Sequence, residues 1–227
     1  MESERYKRNI PAITKADQES LKEKSVAVVG CGGLGGFVIE ALARLGVGSL
    51  RLIDADSFSE SNLNRQLYAT KKNIGKSKAK AAKKRIRKIN SDVKAEAFEE
   101  LITKENATEF LSGCDLCIDA LDNIEGRLIL EDACSELGIY LIHGAIEGWN
   151  AQISCVAPGS GTIKKLYGQV DLNEKQPAPS VLSFTAEFAA SLEAAEAVKV
   201  LTGYGEKLEN RLLIADLKIG DFEYVQI

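Results

Sequence analysis

Ser25-Val-Ala-Val-Val29-Gly30-Cys31-Gly32-Gly33-Leu34-Gly35 is the stretch whose reading decides the fold. The short apolar run reads as a buried strand, and the glycines after it open a helix through about Leu45. Gly46 and Gly48 close that helix, and Ser49-Leu-Arg-Leu-Ile53 gives a second strand ending at Asp54. Glycines in a strand-to-helix turn let the backbone approach a phosphate or ribose, while the helix end offers free N–H groups. Asp54 stands 19 residues after Gly35, where a carboxylate can accept both ribose hydroxyls. Gly30, Gly32, Gly33, Gly35 and Asp54 are therefore the candidate nucleotide-binding residues.

The pattern continues outward. Ser77–Asn90 carries apolar residues at Ala79, Ala82, Ile86 and Ile89, a helical spacing. Val93–Phe98 and Leu116–Ala120 are expected strands, separated by a short helix over Glu105–Leu111. A helix over Gly126–Leu137 and a strand over Tyr140–Ile142 follow. Such alternation predicts an α/β fold: a Rossmann-like, mostly parallel sheet with helices on both faces. After Gly144 the character changes to a strand over Ala151–Val156, a loop marked by Pro177 and Pro179, and an alanine-rich helix over Thr185–Leu201. Arg211–Leu217 and Phe222–Ile227 close as a hairpin through Gly220-Asp221, giving a C-terminal antiparallel extension. The expected organisation of the 227 residues is one domain, with an N-terminal helical arm at 1–24 and a nucleotide-binding core at 25–145. A sheet extension fills 146–227, with a crossover loop at 159–183.

Composition narrows the class. Lys plus Arg is 29 and Asp plus Glu 33, a net charge of −4 that speaks against a general nucleic-acid coat. The longest weakly polar stretch, Val26–Ile39, is interrupted by glycines and falls short of the ~20 residues a bilayer needs. The charged N-terminus lacks an apolar signal region, and five cysteines do not suggest a disulfide framework. The cytoplasm is the expected location.

Which nucleotide is bound follows from the surrounding cations. A triphosphate concentrates more anionic charge than a dinucleotide and recruits Arg, Lys and a metal ion. Arg65 and Lys78 supply cations and Asn62 a neutral donor, within Ser61-Asn-Leu-Asn-Arg65-Gln66 and Gly75-Lys-Ser-Lys78. Asp119-Ala-Leu-Asp122-Asn123 ends the central strand, where open α/β sheets place ligands. A carboxylate there would repel phosphate unless Mg²⁺ intervened, so Asp122 reads as the metal ligand. ATP with Mg²⁺ is the expected pair.

On these residues the chain resembles the ThiF, MoeB and HesA adenylyltransferases, relatives of ubiquitin-activating enzymes, from about Arg5 to Gly205. Arg5-Tyr-Lys-Arg8 is similar to the family's N-terminal motif, whose second arginine enters a neighbouring subunit's ATP site. The resemblance thus implies a homodimer with Arg8 acting in trans. It also implies catalytic roles for Arg8, Arg65, Lys78 and Asp122, and a phosphate contact for Lys78 rather than Lys76. The implied reaction adenylates the C-terminal Gly-Gly carboxylate of a small ubiquitin-like sulfur carrier protein and releases pyrophosphate. It belongs to thiamine, molybdopterin or related sulfur-transfer biosynthesis.

Departures from the family matter as well. Many relatives hold structural zinc with two Cys-x-x-Cys pairs, but only Cys114-Asp-Leu-Cys117 occurs here. Strand alternation would turn those two sulfurs to opposite faces, so no zinc is expected. The crossover loop lacks cysteine, and Pro179-Ser180-Val181 stands where some relatives have Ser-Cys, implying a separate sulfur donor. Gly148-Trp149 matches the short, zinc-lacking ThiF-like proteins. His143 reads as a satisfied core residue.

Between Lys71 and Lys88, ten of eighteen residues are Lys or Arg, a solvated helix face or a docking patch for an acidic carrier or RNA. The second option keeps open a tRNA threonylcarbamoyladenosine dehydratase of the same superfamily, although Ser61-Asn-Leu-Asn departs from its Thr-Asn-Ile-Asn. An NAD-dependent oxidoreductase lacks an evident hydride-transfer acid or base here. A non-catalytic carrier scaffold is the remaining alternative.

Overall fold

The computed structural model describes residues 4–172 and 179–227. Pro177 and part of the expected crossover loop lie outside the described residues. Its parallel core comprises β1 (Ser25–Val29), β2 (Ser49–Ile53), β3 (Lys94–Phe98), β4 (Leu116–Asp119) and the first half of β5 (Tyr140–Glu147). β6 (Asn150–Val156), β7 (Arg211–Asp216) and β8 (Asp221–Gln226) continue the sheet in antiparallel register. The spatial order is β3-β2-β1-β4-β5-β6-β7-β8. β1 therefore has β2 on one side and β4 on the other, the switch point where such sheets open a crevice. The fold is the Rossmann-like α/β sheet with antiparallel extension that the sequence implied.

Alternation in β1 divides the core. Val26 and Val28 pack with α2 (Gly33–Leu45), α3 (Lys78–Ile89) and α7 (Ser183–Thr202). Ala27 and Val29 pack with α4 (Ala107–Leu111), α5 (Ile124–Leu137) and α6 (Thr162–Tyr167). Both faces of the strand are buried, which is why it reads as a continuous apolar run. A short α1 (Lys15–Leu21), capped by Thr14 and Asp17, precedes β1.

Several boundaries shift for identifiable reasons. Ser77 is outside its helix as the N-cap of α3, accepting Lys80 N–H. Asn123 does the same for α5, which begins two residues earlier than Gly126. β5 runs past Ile142 and through Gly144 to Glu147 because its second half pairs antiparallel with β6, and Glu193 leaves no room for a side chain at residue 144. A Cβ there would lie 2.6 Å from the Glu193 carboxyl carbon. The expected crossover loop contains α6, a helix its sequence did not signal.

The cysteines require a correction. β4 starts at Leu116, so Cys114 lies in the preceding turn and enters the same apolar cluster as Cys117 and Cys134. The sulfurs do not point to opposite faces. Burial raises the thiols of Cys114 and Cys117, and both are packed as apolar side chains. No group of three or more Cys, His, Asp or Glu placed to hold a metal occurs among the described residues. Nor is any described helix long and apolar enough to cross a membrane.

Candidate nucleotide site

The carboxyl ends of β1, β2 and β4 meet at one rim. Gly30 leaves β1 at φ 98°, a left-handed conformation, and a Cβ there would lie 2.4 Å from the Ala120 carbonyl. Gly35 is tighter still, since its Cβ would overlap the Gly30 carbonyl at 1.8 Å. Only glycine lets α2 start this close to the strands. By contrast, Gly32 and Gly33 face the side chains of Gln66 and Arg65, at 3.3 and 3.7 Å from their would-be Cβ atoms.

Asp54 closes the second side. Its Oδ2 accepts Cys31 N–H at 2.7 Å and its Oδ1 accepts Asp56 N–H at 2.8 Å. Each oxygen keeps acceptor capacity for a ribose hydroxyl. Burial raises its carboxyl above the usual aspartate value, opposed by the Cys31 hydrogen bond and the Lys78 charge. Lys78 lies in the first turn of α3, only 8% exposed. Its ammonium donates to Asp56 Oδ2 at 2.7 Å, and its backbone N–H donates to Asp56 O at 3.0 Å. Lysine has three donors, so this pairing leaves two for phosphate. Asp56 joins Lys78 to Asp54, a link the sequence suggested only as a companion acid.

The segment carrying Arg65 folds back over the glycines. A single 3-10 turn at Glu60–Asn62 is capped reciprocally by Ser59 and Asn62, with Asn62 Oδ1 accepting Ser59 N–H at 3.0 Å. Asn62 is buried and its oxygen is used in the turn, so the amide Nδ2 is the atom that can donate to a ligand. Arg65 Nη1 donates to Ser61 O and Asn64 Oδ1, both at 2.9 Å. Gln66 is also buried against the loop, and its Oε1 has no hydrogen-bond partner among the described residues. An orphan acceptor beside a glycine cradle fits a nucleotide carrying hydroxyl and amino donors.

Asp122 sits exposed after β4, with Leu121 and Asn123 fixed on either side of it. A single exposed carboxylate that completes its coordination with phosphate oxygens and water suits Mg²⁺. Arg8 is exposed in the N-terminal arm and is not brought to this rim. A depression lined by Arg51, Glu96, Phe98 and Phe110 lies by α4 and involves none of the candidate residues.

Sequence reasoning missed a buried polar group beneath the rim. Asp119 and His143 are fully buried, with His143 Nδ1 2.7 Å from Asp119 Oδ2 and Nε2 3.0 Å from the Tyr167 hydroxyl. His143 is thus a satisfied core residue. Arg127 Nε lies 3.6 Å from Asp119 Oδ2, and Glu193 is buried without a hydrogen-bond partner for either oxygen among the described residues. Desolvation drives the Glu193 carboxyl well above its usual value, reinforced by the Asp119 charge.

With fold and site in place, the relatives are informative. The ThiF family model matches residues 6–227. A sulfur carrier protein adenylyltransferase of Thermus thermophilus is 36% identical, over 100% of this chain and 88% of that protein. A SAMP-activating enzyme E1 of Haloferax volcanii is 35% identical, over 98% of this chain and 84% of that protein. The crystal structure of E. coli MccB with ATP shares the fold at TM-score 0.87 and 22% identity, over 99% of this chain and 71% of that one. This chain belongs to the ThiF family. It is an adenylyltransferase, the class of enzyme that its relatives name.

Proposed function

We propose that the protein adenylates the C-terminal Gly-Gly carboxylate of a small ubiquitin-like sulfur carrier, using ATP and releasing pyrophosphate. The convergence of Asp54, the Asp56–Lys78 pair and the glycine loop at one rim is the observation that carries this reading. The relative named for activity on a sulfur carrier supports the substrate class.

In the reaction a carboxylate oxygen of the carrier forms a bond to the α-phosphorus. The α–β phosphoanhydride bond breaks, and the electron pair leaves with pyrophosphate. A C-terminal carboxyl with a pKa of about 3.5 is already ionised, so no general base is required. The protein positions two anions against each other and offsets their charge. Asp54 orients the ribose, the glycine loop admits the phosphates, and Arg65 and Lys78 neutralise negative charge as it moves toward pyrophosphate. Asp122 would hold Mg²⁺, which supplies further charge neutralisation on the phosphates. Residues 1–24 and 146–227 are proposed to serve a partner subunit and the carrier respectively, around the core at 25–145. A separate protein would donate sulfur, since residues 159–183 contain no cysteine.

Carrier-dependent exchange of radiolabelled pyrophosphate into ATP tests the reading. Exchange is expected only with a Gly-Gly-ending carrier. ATP binding without exchange across thiamine-type and molybdopterin-type carriers would overturn it, and tRNA-dependent ATP consumption would favour the dehydratase. Lys78→Ala or Arg65→Ala is expected to lower the exchange rate about 10²-fold, the usual cost of one charge-stabilising donor.

A further inference from the structure

The loop after β4 is pinned on both sides of Asp122. Asp119 Oδ1 accepts Leu121 N–H at 3.1 Å, and Arg127 Nη2 donates to the Leu121 carbonyl at 2.8 Å. Beyond Asp122, Asn123 Oδ1 accepts Gly126 N–H at 2.8 Å. The backbone of Asp122 is thus held on one side by Asp119 and Arg127 and on the other by the cap of α5.

Asp119 is held in turn from below. A carboxylate oxygen takes the proton-bearing nitrogen, so His143 Nδ1 donates to Asp119 Oδ2 and Nε2 becomes an acceptor. The Tyr167 hydroxyl donates to that nitrogen and itself accepts from Gln152 Nε2. Every donor in the chain points the same way, toward Asp119. The Arg127 guanidinium also lies over the Tyr167 ring, 5.3 Å from its centroid. Tyr167 is the last residue of α6.

A buried ionic network is a weak source of stability. Buried ionic groups can often be replaced by well-packed apolar residues at no loss, whereas the fixed directions of these hydrogen bonds define a geometry. We propose that Tyr167, His143 and Asp119 form a positioning chain that couples the C-terminal end of α6 to the placement of Asp122. This rests on the reading of Asp122 as the carboxylate that meets the metal of ATP.

Two variants test the chain without removing a charge. Tyr167→Phe keeps the ring under Arg127 and loses only the hydroxyl. His143→Asn keeps a donor toward Asp119 and loses the link to Tyr167. In the free protein, amide hydrogen exchange at Leu121 is expected to accelerate about tenfold in both, the effect of one lost hydrogen bond, while β1 amides keep their protection. Mn²⁺ affinity in the presence of a non-hydrolysable ATP analogue, read by the loss of the free-ion EPR signal, is expected to fall about tenfold. Asp122→Asn, run in parallel, should lose Mn²⁺ affinity and keep slow Leu121 exchange. Unchanged Leu121 exchange in both variants overturns the proposal. So does faster exchange with unchanged Mn²⁺ affinity, provided Asp122→Asn lowers that affinity. If Asp122→Asn leaves Mn²⁺ affinity intact, the metal role of Asp122 falls and the positioning chain falls with it.

Discussion

Two carboxyl groups in this molecule are displaced in the same direction by burial and have opposite consequences. Asp54 is partly desolvated, yet two backbone N–H groups fix its oxygens. The ionised form is the one that accepts ribose hydroxyls, so nucleotide affinity should weaken as acid protonates it. Because its pKa is raised, that weakening begins at a higher pH than for a free aspartate. Asp54→Asn should bind ATP about tenfold more weakly at neutral pH, on the scale of hydrogen bonds to a charged group, and show a flatter acid limb by calorimetry. Glu193 is buried with neither oxygen partnered among the described residues, so the folded state holds it protonated to a far higher pH than the unfolded chain does. Below the unfolded pKa both states are neutral at this group and it imposes no pH-dependent cost. As pH rises past that value the unfolded chain ionises and is favoured, so stability falls. Glu193→Gln removes this term. Its stability advantage in urea unfolding should widen between pH 5 and pH 8 by up to about 1.4 kcal/mol per unit, and a constant difference would show that Glu193 is ionised in the fold.

At the scale of elements, α3 does two jobs with its two faces. Ala79, Ala82 and Ile86 face the core and fix the helix, which in turn fixes Lys78 in its first turn at the rim. The outer cations are exposed; Lys80 is paired with Glu99 and Arg85 with Glu40. Pairs of this kind contribute little, and the helix needs no partner to account for them. Lys84→Glu combined with Lys88→Glu should therefore leave carrier-dependent exchange within about twofold, whereas a larger loss would identify the outer face as a docking patch. The same helix shows why much of the site was legible in sequence. Lys78, Asp54 and the glycines follow immediately from strand and helix ends, so local spacing places them. Tyr167, Arg127 and Glu193 meet Asp119 and His143 only through packing of α5, α6 and α7 against β4 and β5, and no local pattern announces that. Asn62 adds a detail that residue type alone does not give: its oxygen closes its own turn, which leaves the amide Nδ2 as the group able to donate to a ligand.

The whole molecule places its N-terminal arm at the wrong end for its own site. Helices α2 and α3 begin at the rim and run away from it, so their C-terminal ends lie at the opposite edge of the sheet. Tyr6 is buried there: its hydroxyl accepts from Asn90 Nδ2 at 2.7 Å, and its ring fills the space beside Gly46. Arg5 donates to Ile89 O at 2.5 Å, and Asn9 is tied through Gln18 to Leu45 O. A helix of 13 residues spans about 20 Å, whereas the two residues from Tyr6 to Arg8 reach only about 7 Å, and an arginine side chain of comparable length still leaves the span uncovered. An Arg8 side chain that touches nucleotide must therefore touch that of another copy. Arg8→Ala and Asp122→Ala should each be inactive alone, since each lacks one part of every composite site. Mixed and allowed to exchange subunits, half of the molecules form heterodimers in which one site carries both defects and the other carries neither. Activity near one quarter of wild type is thus expected per subunit pair, as a statistical consequence of closed two-fold assembly. Absence of recovery, with heterodimer formation verified by native mass spectrometry, would place Arg8 outside the reaction.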